Sequence, residues 1–179
     1  MGGFFFDLRG EIDAEWVFID GSYVRAHQHA SGARHGEERA IGKSRGGSTT
    51  KIHIAADAHG NPIDFEITGG EIHDSKIAEK IIEKVGNAEH LIADKGYDSE
   101  EIRELSRRAG MTPVIPRKSN SNKPNPEFDS HLYKMRHLVE NLFARLKHFR
   151  GIATRFEKLA RNFKAMTFLA CTFIYLKLN

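Results

Sequence analysis

At 179 residues and 40% apolar content, the chain can bury the core of one globular domain without disulfides or a structural metal. Its single cysteine, Cys171, has no partner and sits in an apolar stretch, which marks it as a core residue of a reducing compartment. No segment approaches the roughly 20 apolar residues a bilayer span requires, and the start MGGFFFDLRGE has no secretory signal pattern, so a soluble cytoplasmic protein is expected. A net charge of only +3 hides an uneven distribution: acidic residues dominate 52–104, and Lys and Arg dominate the C-terminal third. Solvated helix faces alone would produce such a pattern. Residues 1–14 read as an N-terminal extension and 15–179 as one domain.

Residues 15–25 (EWVFIDGSYVR) read as a strand through Trp16, Val17, Phe18 and Ile19 that ends at Asp20 and Gly21, placing a carboxylate where a buried strand runs out. Residues 26–48, rich in Gly, Ser, His and Arg without an apolar period, read as a long loop, and a loop of that length is more often functional than inert. Segments 50–56 and 62–68 flank a turn and predict a hairpin. A helical period follows over 74–85, with Asp74 placed to cap it. A short buried strand over 90–93 then ends at Asp94.

Ser99 opens the next helix, with Glu100 and Glu101 in its first turn and Gly110 beyond its end. Residues 112–115 form a brief strand, and the polar segment 117–127 an exposed loop. One long helix is expected over 129–149, and 162–177, apolar on nearly every side, reads as a buried helix. An antiparallel start feeding a parallel continuation predicts a mixed α/β sheet with helices on its faces.

Asp20 and Asp94 each follow a short apolar run and each precede a glycine within two residues. If their strands are neighbours, two carboxylates stand together at the sheet edge where open α/β sheets bind ligands; singly, each Asp reads as a turn or cap residue. In the long helix, Leu132, Met135, Val139, Leu142, Phe143, Leu146 and Phe149 make a core-facing stripe. Beside it run Tyr133, Arg136, Glu140 and Lys147, which share a narrow sector at the border of the buried face. A structural Arg136–Glu140 ion pair, four residues apart, would explain part of that stripe. His27, His29 and His35 invite a zinc reading, but no cysteine or acidic partner completes a ligand spacing.

The helix text YKMRHLVENLFARLK resembles the signature of bacterial insertion-sequence transposases, in which Tyr, Arg, Glu and Lys are separated by two, three and six residues; Tyr133, Arg136, Glu140 and Lys147 match it without a gap. FIDGSYVRAHQHASG from Phe18 and LIADKGYDS from Leu91 resemble the two other acidic blocks of the IS-five-like branch of the IS-four superfamily. GKSRGGSTTKIH from Gly42 and VIPRKSN from Val114 are similar to the same branch.

The resemblance implies a ribonuclease H-like α/β fold, a mixed five-stranded sheet flanked by helices, with Asp20, Asp94 and Glu140 as an acidic triad. It further implies two Mg²⁺ ions, for which Mn²⁺ substitutes, and cleavage at an element end followed by transfer of the freed 3′-end into target DNA. Double-stranded DNA is the expected partner, the protein being nucleoid-associated when bound, with self-association on DNA. Arg136, Lys147 and Tyr133 are expected near the scissile phosphate, with backbone contacts from Arg25, Arg34, Arg39, Lys43, Arg45 and Lys51 in the first segment and Arg117, Lys118 and Lys123 in the second loop. Members of this family carry a region that recognises element ends, in several groups encoded in an upstream reading frame. Since the first acidic block lies so near the start, the product of such a frame is an expected partner. A stand-alone metal-dependent nuclease and an inactive DNA-binding remnant are the competing readings.

Overall fold

The computed structural model describes residues 15–31, 38–86 and 88–176. The expected extension 1–14, together with Arg34 and His35, lies outside the described residues. Strand β1 (Trp16–Ala26) is central. It pairs antiparallel with β3 (Gly47–Ala56), which pairs with β4 (Pro62–Gly69), and β2 (Gly42–Ser44) forms a short hairpin with β3. On the other side β1 pairs parallel with β5 (His90–Ala93), and β5 with β6 (Thr112–Val114). The five long-expected strands are thus joined by short β2 and by β7 (Thr154–Arg155), which pairs with the end of β1.

Period-two alternation along β1 feeds two cores. Phe18 and Val24 pack with Ile52, Ile54, Phe65 and Ile92 under helices α4 (His137–Lys147) and α6 (Ala160–Leu176). Val17 and Ile19 pack with Leu91 and Ala93 under α1 (Ser75–Val85) and α2 (Glu100–Arg108). Each fully buried Ile, Leu or Phe in these layers contributes about 1.5–3 kcal/mol.

The hairpin, α1, β5 and α2 stand as expected. Asp57 Oδ1 accepts from the backbone of His59 and Asn61 at 2.9 and 2.8 Å, which closes the hairpin turn. Ser99 Oγ accepts from Ile102 N and caps α2, and Gly110, with φ +82, ends it in a conformation open to glycine. Cys171 is fully buried, as its apolar surroundings predict.

Five expectations need correction. Strand β1 does not stop at Asp20; Asp20 through Arg25 pair with Ile54 through Thr49, so cross-strand bonds carry the chain past a dipeptide that alone reads as a turn. The described part of 26–48 holds a 3-10 turn at Gln28–Ser31 and strand β2. Asp74 makes no side-chain cap on α1, its carboxylate being held elsewhere.

The long helix is split into α3 (Ser130–Lys134) and α4. Around the break, the N–H groups of Met135, Arg136, Leu138 and Val139 bond three residues back, a tightened turn centred on Arg136. Helix α6 buries Phe163, Thr167, Ala170 and Ile174 but leaves Leu169, Phe173 and Leu176 exposed, so it is one-sided. Between α4 and β7 lies the short helix α5 (Arg150–Ala153). Arg155, fully buried, ties this region down by donating to the carbonyls of Arg39, Ala40 and Glu157 and to Thr50 Oγ1; burial pushes its guanidinium down to about 10.

Candidate active site

Ile19 and Ala93 are register partners in the parallel pair β1 and β5, so the next residues, Asp20 and Asp94, stand side by side where β5 ends. Asp20 shares its face of the sheet with Phe18 and faces α4. Asp94 opens the 3-10 turn Lys95–Tyr97, and its Oδ1 accepts from Gly96 N at 2.7 Å. Asp20 Oδ1 accepts from Gly21 N, and its Oδ2 from Arg136 Nη1, both at 2.8 Å. The other Arg136 nitrogen donates to Glu140 Oε1, so one guanidinium bridges a β1 carboxylate and an α4 carboxylate. Lys147 Nζ donates to Ser22 Oγ at 2.7 Å, laying a second cation along β1 two residues beyond Asp20.

Burial raises the Asp20 carboxyl, and the neighbouring charges of Asp94 and Asp74 push the same way, outweighing the Gly21 N–H and Arg136. Although partial burial opposes it, Arg136 is held in its charged form by Asp20 and Glu140. Glu140 is half exposed, at 51% of its side chain, and faces the open side. Among the described residues, no three carboxylate, imidazole or thiol groups converge tightly enough to enclose an ion. A cation nevertheless sits among the carboxylates: the Arg136 guanidinium. Hard oxygen donors from β1, the end of β5 and α4, two of them joined by one guanidinium, suit a divalent ion that prefers oxygen ligands.

The remaining candidates divide. Arg25, Lys43 and Arg45 are exposed on β1, β2 and the turn that follows. Tyr133 is half-buried with its ring 5.4 Å from that of Phe128, so it stacks within the protein. Lys123 and Lys118 are exposed, although Lys118 Nζ reaches the Asp98 carbonyl at 3.2 Å. Arg117 is committed to Asp98, to Glu100 and to the Pro124 carbonyl. Lys51 is a correction: only 5% exposed, it donates to Asp74 Oδ2 at 2.6 Å on the α1 side of the sheet, away from the surface expected to meet a polyanion. His27 packs against Phe156, and His29 N donates to His27 Nδ1 at 3.3 Å.

Behind the carboxylate pair lies a group that spacing did not reveal: Lys51, His53, Asp74 and Tyr97, supplied by β3, the entry to α1 and the turn after β5. The visible signals were the charge at Lys51 inside an apolar strand and the His73–Asp74 pair ahead of α1.

A profile of the transposase DDE domain matches residues 13–175. A protein named as a transposase for insertion sequence element IS6501 of Brucella ovis is 34% identical over 130 residues, covering 72% of this chain and 99% of that protein. One named as a transposase for element IS402 of Burkholderia cepacia is 35% identical over 143 residues, covering 74% of this chain and 64% of that protein. Two solved structures share the fold. The piggyBac transposase in a synaptic complex with hairpin DNA has a TM-score of 0.56 at 12% identity, over 89% of this chain and 45% of that one. The simian T-cell lymphotropic virus intasome has a TM-score of 0.52 at 14% identity, over 89% and 49%. The chain therefore spans about half of either of those chains. Its mixed sheet flanked by helices is ribonuclease H-like. The chain belongs to the family of transposases built on a DDE domain.

Proposed function

We propose that this domain cuts and joins DNA at the ends of an insertion sequence, with Asp20, Asp94 and Glu140 as the ligands of two Mg²⁺ ions. The observation that carries the reading is the adjacency of Asp20 and Asp94 at the end of β5, with Arg136 linking Asp20 to Glu140 across from α4. When bound, the metal ions activate the attacking water or 3′-hydroxyl and stabilise the leaving oxygen; Mn²⁺ supplies the same chemistry.

The chain's own residues do the rest. Asp20, within β1, and Asp94, directly after β5, supply the rigid half of the site, and Glu140, on the open side of α4, supplies the adjustable half. With metal bound to the carboxylates, Arg136 would be free to meet a phosphate oxygen, a bidentate match for its planar fork. Lys147 lies along the same line beside Ser22 and neutralises the next phosphate. Arg25, Lys43 and Arg45 extend a basic edge along the sheet, and Lys118 and Lys123 form a second, both as sequence-independent backbone contacts. Tyr133 supports α3 next to Arg136, and Arg117 holds the second loop in place rather than reaching out. Two copies acting on paired ends provide both strand-transfer events.

The test is nicking and joining of labelled element-end duplex in Mg²⁺ or Mn²⁺, comparing the chain with Glu140→Gln, each alone and with the upstream frame's product. Metal-dependent cleavage and joining that vanish in the variant support the reading. Equal activity in both proteins overturns the assigned site, and cleavage without joining reduces the activity to that of a nuclease.

A further inference from the structure

One cation beside the carboxylates is not shared with an acid. Arg136 is divided between Asp20 and Glu140, whereas Lys147 Nζ pairs with no carboxylate among the described residues and donates to Ser22 Oγ at 2.7 Å. That bond runs from the last turn of α4 to the middle of β1. A lysine on a serine is an ordinary surface contact, but its place here is not. Asp20 and Ser22 are two residues apart on one strand, so their side chains leave the same face of the sheet about 6.7 Å apart. Successive phosphates on one DNA strand are spaced about as widely.

The Ser22 hydroxyl is only half used. An ammonium donates and cannot accept, so the serine oxygen is the acceptor and its own O–H is left to donate elsewhere. Among the described residues it meets no acceptor. The sheet also leaves a gap on this stretch: β5 pairs with β1 only as far as Ile19, and β7 only from Arg25, so that side of residues 20–24 has no strand neighbour among the described residues.

Main-chain groups there follow the strand alternation. The Glu15 carbonyl accepts from His90 N, and His27 N donates to the Arg155 carbonyl, both on this side, so the odd-numbered residues between them face the same way. Gly21 N is taken by Asp20 Oδ1, which leaves the Tyr23 N–H facing the gap next to Ser22, while the Tyr23 ring lies against Lys51. An ammonium with two unused N–H groups, a hydroxyl and a main-chain N–H, with no carboxylate among them, have the chemistry of a phosphate site.

We propose that Ser22, together with Lys147, binds the DNA phosphate one nucleotide from the scissile one. The hydroxyl donates to a non-bridging oxygen, and the serine oxygen keeps Lys147 Nζ over the same phosphate, each bond polarising the other. Such a contact carries no sequence information; it sets the register at which the strand crosses Asp20 and Asp94. The proposal rests on the reading of this domain as one that cuts DNA at those carboxylates.

The experiment follows metal-dependent nicking of labelled element-end duplex by the full chain, alone and with the upstream frame's product, for wild type, Ser22→Ala and Ser22→Thr. Each is run on native duplex and on duplexes carrying a single methylphosphonate, which removes one phosphate's charge, at successive positions beside the cut. Thermal melting checks the fold of each variant. If wild type does not nick native duplex, the underlying reading fails and this proposal with it. Given nicking, Ser22→Ala is expected to raise KM for native duplex about tenfold, as for loss of a hydrogen bond to a charged group, with the loss in KM rather than in kcat. On the duplex whose methylphosphonate adjoins the scissile phosphate, the same substitution is expected to cause no further loss. Ser22→Thr, which keeps the hydroxyl, is expected to behave as wild type on both. A loss in Ser22→Ala that persists on every methylphosphonate duplex overturns the proposal, as does a wild-type KM in that variant. Should Ser22→Ala fail to fold, the isosteric pair Ser22→Thr and Ser22→Val decides on the same readout: a difference between them that vanishes only on that duplex supports the contact, and no difference overturns it.

Discussion

Two guanidinium networks in this domain use the same chemistry for opposite ends. Arg136 bridges Asp20 and Glu140 at the edge of the sheet, with one carboxylate half exposed and the helix tightened at the arginine itself. Arg103, 1% exposed, donates through Nη2 and Nε to Asp98 Oδ1 at 2.9 and 3.3 Å, and also to the Ile115 carbonyl and Asn125 Oδ1. Arg117 and the Lys118 N–H complete the shell around Asp98. In the first network the carboxylates keep unused lone pairs and Glu140 stands exposed, so partners can be exchanged. The second is buried at Arg103 and Asp98 and hydrogen-bonded throughout, and removing Arg103 strands a charge. Burial, more than the number of ion pairs, separates a site from a staple.

The sharpest break is Asp20→Asn. It removes one charge from the edge network while keeping the side chain's shape. Metal-dependent cleavage of element-end DNA is expected to fall by about a thousandfold or more, equivalent to about 4 kcal/mol in the barrier. The melting temperature at neutral pH should not fall. Cleavage within tenfold of wild type would remove Asp20 from the reaction.

The converse variant, Arg103→Met, strands Asp98 partly buried beside Arg117. Loss of about 3 kcal/mol of stability is expected, the low end for a broken buried pair because Arg117 and Lys118 N–H remain. Urea midpoints measure it. The folded fraction should bind Mn²⁺ like wild type, and a change below about 1 kcal/mol would mean that the Asp98 network is no staple.

Acid separates the two networks by sign. Burial opposes it, yet the Lys118 N–H with Arg103 and Arg117 holds Asp98 below the ordinary carboxylate range. Its contribution is therefore present above the unfolded value of about 3.9 and lost as pH falls through the lower folded value. Asp20 is raised by burial, so its contribution is full below the unfolded value and lost as pH rises through the folded one. Unfolding free energies measured from about pH 3 to 7 should show Asp20→Asn gaining on wild type as pH rises. An Asp98→Asn chain should instead lose its deficit toward the acid end. Parallel curves for the two would refute the contrast.

What could be read along the chain followed the range of the interaction involved. The hairpin, β5 and α2 rest on neighbours in sequence: an Asp57 turn, an apolar run, a Ser99 cap. Asp20 and Asp94 were legible as a pair because each ends an apolar run, although only the β1 and β5 register makes them adjacent. Asp20 and Gly21 look like a turn until β3 pairs across them. Asp74 looks like a cap, but Lys51 and the His53 ring, both distant in sequence, hold its carboxylate in place of α1's own N–H groups. The break at Arg136 was invisible because 130–147 contains neither Gly nor Pro; the bend comes from i to i+3 bonding, which residue types there do not announce. The exposed side of α6 was hidden for the same reason, since Leu169 and Phe173 are as apolar as the residues that face the core.

The smallest expected effect tests whether the staple depends on its helix. Ser99 Oγ accepts from Ile102 N at 3.2 Å and so satisfies one of the free donors at the start of α2, one residue after Asp98 and four before Arg103. Ser99→Ala removes that acceptor without touching either ion. A cap of this kind contributes about 1 kcal/mol, so the urea midpoint should shift by about a third of the Arg103→Met effect, with Mn²⁺ affinity unchanged. If Asp98 and Arg103 hold α2 independently of its cap, combining Ser99→Ala with Arg103→Met should give the sum of the single losses. A combined loss well short of that sum would mean that cap and ion pair secure the same turn, and that the staple and the start of α2 form one cooperative unit.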